Sequence, residues 1–243
     1  MRPLLVALQF LTLLPINFKQ PPSDRESGYS LLYYPLVGLL IGLLLWCCVW
    51  ICSSLSHTLA AALTLTLWVI SSGGLHLDGL ADSADGWLGG YGNREKTLSI
   101  MHDPYCGPVG VVTLVLILLL KFSALESLIT NNASIVLMTI PLLGRSILLA
   151  LFLTTPYVRK GGLGEQMVKQ MPRGLSLSVL LLVIILILVW HDTIGLYILA
   201  SASISFLLLR AIMMRRLNGT TGDTAGAMLE LTETTSLLVA ACL

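Results

Sequence analysis

Seven stretches of the chain stay apolar for about the length a membrane-crossing helix needs, roughly 20 residues. They cover 31–55, 58–77, 107–129, 134–153, 175–191, 195–212 and 225–243. None shows the period-2 alternation of a barrel strand, and lipid offers unpaired backbone groups no partners, so helices are predicted. The connections alternate in character. Segments 19–30, 78–106, 155–174 and 210–224 are long and charged, whereas 53–58, 130–133 and 190–194 are short and nearly neutral. The long set carries Lys19, Arg25, Arg94, Lys96, Arg159, Lys160, Lys169, Arg173, Arg210, Arg215 and Arg216, eleven of the 14 Lys and Arg residues, and the short set carries none. Cation-rich loops stay in the cytoplasm, and seven spans put all four charged segments on that side. Residues 1–18 are short, contain Pro15 and carry Arg2, which suits a helix lying in the interface. An eighth span there is the alternative. The expected fold is all-α: one membrane-embedded domain over 1–243, with about seven transmembrane helices and an N-terminal interfacial helix.

Composition agrees. The chain is 56% hydrophobic and 11% charged, with a mean hydropathy of +0.87, where soluble domains carry roughly 25% charged residues. The expected surroundings are therefore the lipid bilayer. A net charge of +1 gives no basic field for nucleic acid. Cys47, Cys48, Cys52, Cys106 and Cys242 form no Cys-x-x-Cys pair, which removes zinc and thioredoxin-like readings. Arg2 with the apolar run Pro3–Phe18 imitates a signal peptide, but no small-residue cleavage site follows. No internal repeat supports an inverted-repeat transporter.

The most informative stretch is Gly73-Gly74-Leu75-His76-Leu77-Asp78-Gly79-Leu80-Ala81-Asp82-Ser83-Ala84-Asp85-Gly86. On a helix, at about 100° per residue, Asp82 lies about 40° from Asp78 and Asp85 about 20° to its other side. Three carboxylates so close repel one another and resist desolvation at a span end. A bound divalent cation relieves both, and Asp oxygens suit Mg²⁺, which bridges to substrate phosphates. Two further acids stand in Thr220-Thr221-Gly222-Asp223-Thr224-Ala225-Gly226-Ala227-Met228-Leu229-Glu230. Asp223 and Glu230, seven apart, share a helix face, and Glu230 falls about 9 Å into the last span. An acid there is a site candidate or the partner of a cation such as Arg145, with Glu233 the more distant candidate. Lys121 and Arg145 also fall within spans and suit phosphate binding, although Glu126 offers Lys121 a purely structural partner. His76 is the candidate proton acceptor among the histidines. Asp103 precedes Pro104, which favours a turn.

At these residues the sequence resembles the adenosylcobinamide-GDP ribazoletransferase, or cobalamin synthase, family. The run 73–86 is similar to its signature. Ile100-Met101-His102-Asp103-Pro104-Tyr105-Cys106-Gly107-Pro108-Val109-Gly110 resembles a second motif, Gly144-Arg145 an apolar Gly-Arg span, and 218–230 a C-terminal Gly-x-Thr-Gly-Asp motif. The N-terminal Phe10-Leu11-Thr12-Leu13-Leu14-Pro15 is also similar, although the family often has Arg where Leu13 or Leu14 stands. The resemblance implies an enzyme of the bacterial inner membrane that requires Mg²⁺. It implies transfer of the cobinamide phosphate of adenosylcobinamide-GDP to α-ribazole or its 5′-phosphate, with release of GMP. The expected metal ligands are then Asp78, Asp82, Asp85 and Asp223. His76 or Asp103 takes the proton, and Lys121, Arg145, Thr221, Gly222 and Glu230 hold substrate. The active site is expected at the cytoplasmic face, and a homo-oligomer stays open.

Three other readings compete. Membrane prenyltransferases use Asp-x-x-x-Asp, which Asp78 and Asp82 match, but the required second copy is missing. CDP-alcohol phosphotransferases begin Asp-x-x-Asp-Gly, which 82–86 match, but the rest of that motif is not there. In a transporter, Lys121, Arg145 and Glu230 would line an ion path. Three aspartates at a membrane boundary fit a phosphate–metal site better.

Overall fold

The computed structural model describes residues 1–159, 161 and 163–243; Lys160, one of the loop cations counted above, lies outside them. Every regular element among the described residues is helical. In chain order these are α1 (Arg2–Leu11), α2 (Asp24–Ser30), α3 (Tyr34–Ile51), α4 (His57–Ser71), α5 (Leu75–Gly89), α6 (Arg94–Ile100), α7 (Pro108–Thr130), α8 (Thr139–Thr154), α9 (Leu163–Lys169), α10 (Arg173–Leu217) and α11 (Gly222–Ala241). Single 3₁₀ turns at Leu31–Tyr33 and Ser134–Met138 lead into α3 and α8.

Four helical segments are long and apolar enough to cross a membrane, or five if the bent pair α4 and α5 counts as one. The expectation of seven separate spans is not met by these criteria, for two reasons. The stretches 175–191 and 195–212 belong to the single segment α10, and α11 is too polar to qualify because Glu230 and Glu233 interrupt it. α10 is nevertheless broken at Asp192, whose φ of 44° and ψ of −120° are not helical. The break falls inside the predicted connection 190–194. The Ile187 carbonyl oxygen lies 2.6 Å from where a Cβ on Gly195 would stand, whereas eight residues of unbroken helix would separate them by about 12 Å. His191 meets Thr139 at the start of α8 at 2.7 Å, and Arg210 meets Thr154 and Thr155 at its end. The two halves of α10 thus double back on each other.

The innermost helix is α8. In the most apolar window of its span 78% of residues are buried, against 17% for α10. Buried Leu142, Leu149 and Leu151 hold α8 at the centre, while α10 exposes Leu181, Leu182, Leu207 and Leu208, as a lipid-facing helix does. The charged segments are not plain loops: α2, α6, α9 and most of α5 lie within them. α2 starts at a capping box in which Ser23 and Glu26 each bind the other's backbone N–H. At 10 residues α1 is about 15 Å long, half a bilayer core. It packs through Val6, Ala7 and Leu11 and leaves Leu5 and Phe10 exposed.

The predicted span 58–77 stops early. Gly73 and Gly74 take φ of 63° and 70°, ending α4, and α5 leaves at 85° to it. The acidic run therefore lies on its own helix, crosswise to α4.

Candidate active site

α5 is one continuous helix from 75 to 89, so the 4- and 3-residue spacings place Asp78, Asp82 and Asp85 on one flank as the sequence implies. The fourth expected carboxylate, Asp223, comes from the first turn of α11. Gly79 packs against the backbone of Asp223, and the Cα and carbonyl oxygen of His76 each lie 3.2 Å from where a Cβ on Gly226 would stand. Two glycines let the helices cross almost backbone to backbone, and that crossing brings Asp223 beside Asp78.

Asp82 records the result. Partial burial pushes its carboxyl up to about 6, and the negative charges of Asp78, Asp223 and Asp85 push in the same direction. Asp223 faces the Arg159 guanidinium at 3.4 Å and accepts the Thr221 hydroxyl at 3.4 Å. Asp85 is differently employed. Its two oxygens accept the N–H groups of Gly107 at 2.7 Å and Gly110 at 3.0 Å, which fastens α5 to the start of α7. A carboxylate at a helix N-terminus is favoured there without any metal. These bonds give Asp85 a structural role at the head of α7.

The crossing opens on a cavity of about 270 Å³. His76, Asp78, Gly222, Asp223 and Arg159 form its polar wall, and Phe10, Tyr34, Leu148, Phe152 and Met167 are among its apolar neighbours. Phe10 stacks on Tyr34 with centroids 6.3 Å apart, and Phe152 meets Tyr157 edge-on at the same separation. His76 is buried, and among the described residues its Nδ1 has no hydrogen-bond partner.

Arg159 and Tyr157 reach the site through a short backbone pairing. Val158 donates to the Thr220 carbonyl at 2.9 Å, and Thr220 donates to the Pro156 carbonyl at 2.8 Å. The Tyr157 hydroxyl lies 3.8 Å from where a Cβ on Gly222 would stand. Arg159 also meets Nδ1 of His102 at 3.0 Å. Neither Tyr157 nor Arg159 stands in a local pattern that would have singled it out.

The remaining expected residues divide. Gly222 lines the cavity, while Thr221 is buried and caps α11, accepting the Thr224 N–H at 3.2 Å. Asp103 is exposed in a turn, accepting the Tyr105 N–H at 3.1 Å, and it does not line the cavity. Lys121, Arg145 and Glu230 do not line it either. They form a buried ion cluster with Glu233: Lys121 Nζ lies 2.6 Å from Glu230 and 3.0 Å from Glu233, and Arg145 pairs with Glu233. Lys121 also sits 4.4 Å from the centre of the Trp68 ring. Two cations and two anions cancel there. Glu126, the structural alternative partner for Lys121, instead accepts the Thr58 hydroxyl at 2.5 Å.

Fold and site together define a helical membrane enzyme whose carboxylates meet at one cavity mouth. The chain belongs to the cobalamin-5-phosphate synthase family, whose model matches residues 3–241. It is 55% identical over 238 residues to the adenosylcobinamide-GDP ribazoletransferase of Pseudomonas fluorescens strain Pf-5, covering 98% of each chain. It is 53% identical to that of Pseudomonas syringae pv. syringae over the whole of both, and 55% identical to that of Stutzerimonas stutzeri over 96% of this chain and 95% of the relative. No solved structure matches the chain.

Proposed function

We propose that this chain transfers the cobinamide phosphate of adenosylcobinamide-GDP to α-ribazole or its 5′-phosphate. GMP leaves, and adenosylcobalamin or its 5′-phosphate forms. One observation supports the reading most: Asp78 and Asp223, from two helices, share a cavity wall beside Asp82. The ribazole hydroxyl oxygen bonds to the phosphorus that carries the cobinamide. The bridging P–O bond to GMP breaks, its electron pair leaves with GMP, and the hydroxyl proton passes to a base. We assign that base to His76, a residue of the cavity wall whose buried Nδ1 has no hydrogen-bond partner among the described residues. Arg159 offsets negative charge beside Asp223.

The donor set fits Mg²⁺. It is all oxygen, which suits an ion that keeps several waters and completes its shell with substrate phosphate; among the described residues no three His, Cys, Asp or Glu side chains stand close enough to hold a metal by themselves. Asp78, Asp82 and Asp223 would hold it. When bound, Mg²⁺ supplies positive charge against the departing phosphate. Asp85 keeps the start of α7 in place beside these ligands.

The cavity, at about 270 Å³, is below the usual range for a drug-sized ligand. It admits the reacting end of the substrate, and the corrin ring stays outside. We place the chain in the bacterial inner membrane as a single domain, crossing with α3, α4, α7, α8, both halves of α10, and α11. The cation distribution supports a cytoplasmic position for the cavity.

Purified protein in phospholipid vesicles, given adenosylcobinamide-GDP, α-ribazole and Mg²⁺, is expected to release GMP and form adenosylcobalamin in equal amounts. Chelation of Mg²⁺ should stop both. Absence of GMP release under every combination of the three would end this reading.

A further inference from the structure

A second polar cavity, of about 520 Å³, lies where residues 91–93 and the start of α6 meet the end of α10. Arg94, Arg215 and Arg216 line it, with Tyr91, Asn93 and Asn218, and it shares no residue with the cavity at Asp78 and Asp223. No Asp or Glu is in its wall. Among the described residues none of the three arginines forms an ion pair with a carboxylate.

Two of them are fixed in place by backbone. Arg94 Nε donates to the Leu217 carbonyl at 2.8 Å, and Arg216 donates to the Trp87 carbonyl at 2.5 Å while lying 5.5 Å from the Tyr91 ring centre. Each bond uses one of five guanidinium N–H groups. Arg215 makes no side-chain hydrogen bond among the described residues. A cytoplasmic bias accounts for the sign of these residues. It does not account for two being held by carbonyls at one cavity, where like charges without a counter-ion repel.

We propose that this cavity is a second anion site, binding a phosphate group carried on a small organic molecule. Guanidinium groups grip phosphate oxygens in pairs, and the volume is within the range of small-molecule pockets. A nucleotide and the headgroup of an anionic phospholipid both present that group. The exposed apolar residues Leu208 and Ile212, one to two turns back along α10, place the site near lipid. The site stands whether or not the transfer reaction does.

The full chain in a zwitterionic detergent is incubated separately with GDP and with dioctanoyl phosphatidylglycerol, and native mass spectrometry counts retained ligand. The expected result is one molecule of GDP or of the lipid retained, weakened at least fivefold by Arg215→Gln and further by Arg94→Gln. Arg215→Gln breaks no hydrogen bond among the described residues, so it tests the site without disturbing the fold. Retention of GDP alone names a soluble nucleotide as the occupant, and retention of the lipid alone names the membrane. Asp82→Asn, at the other cavity, is expected to leave this retention unchanged. Binding of neither molecule, or binding removed by Asp82→Asn and untouched by Arg215→Gln, overturns the proposal.

Discussion

Gly79 and Asp223 touch backbone to backbone: a Cβ on Gly79 would lie 2.8 Å from the Asp223 carbonyl oxygen and 3.0 Å from its Cα. Real side chains do not fit at that separation, so Gly79→Ala must push α5 and α11 apart. Asp78 and Asp223 would then separate at the cavity wall. Turnover is expected to fall by about 10²-fold, the scale of a 1 Å misplacement, and stability by about 1–3 kcal/mol. GMP release and thermal unfolding in detergent measure the two. Gly174→Ala, where a Cβ meets nothing within 4 Å, is expected to change neither.

Local order was legible in the sequence, and pairings across the fold were not. The acid spacing could be read because a helix fixes the relation of 78, 82 and 85 within itself. The turn at Asp192 could be read because a neutral break between apolar runs needs no partner to be seen. The short helices α2, α6 and α9 were hidden in charged segments because at 7 residues each they carry no extended apolar period. The sequence offers Lys121 only Glu126, five residues on, as a nearby structural partner, and its partners in the fold are Glu230 and Glu233, more than 100 residues away. Arg159 reaches Asp223 only because 156–158 pair with Thr220. No periodicity encodes such a contact.

Glu233 is the hub of the buried cluster, since it faces both Lys121 and Arg145. Glu233→Gln leaves two buried cations with Glu230 as their one remaining carboxylate. Breaking a buried pair in this way costs about 3–5 kcal/mol, so a large drop in the unfolding midpoint is expected. Adding Arg145→Met restores the charge balance and should recover part of the loss. A single variant as stable as the parent would show that the cluster contributes nothing to the fold.

Asp82 makes the free protein sensitive to pH. Its carboxyl titrates at about 6 in the folded chain, against 3.8 for an ordinary Asp. The folded state therefore favours the proton, and the ionised group opposes folding at pH above about 6. This penalty disappears as pH falls through 6 toward 3.8. Without divalent cations, the stability of the parent relative to Asp82→Asn is expected to rise as pH is lowered from 7.5 to 5. Saturating Mg²⁺, by stabilising the carboxylate, should flatten that difference. Unfolding midpoints of both proteins, with and without Mg²⁺, test the sign. A difference that stays constant with pH would mean that Asp82 is not strained by its neighbours.

Asp85 and Asp82 stand one helical turn apart and are expected to fail in different ways. Asp85 binds Gly107 and Gly110 at the head of α7, and Asn can accept from one of these while its amide group confronts the other donor. Asp85→Asn should therefore cost about 1–3 kcal/mol of stability and slow turnover, with the Mg²⁺ concentration for half-maximal rate little changed. Asp82→Asn removes a repelling charge and should leave stability equal or higher while abolishing turnover. Mg²⁺ titrations of GMP release, paired with unfolding midpoints, separate the two roles. If Asp85→Asn instead raised the Mg²⁺ requirement tenfold at unchanged stability, Asp85 would belong with the metal ligands and its bonds to α7 would be incidental.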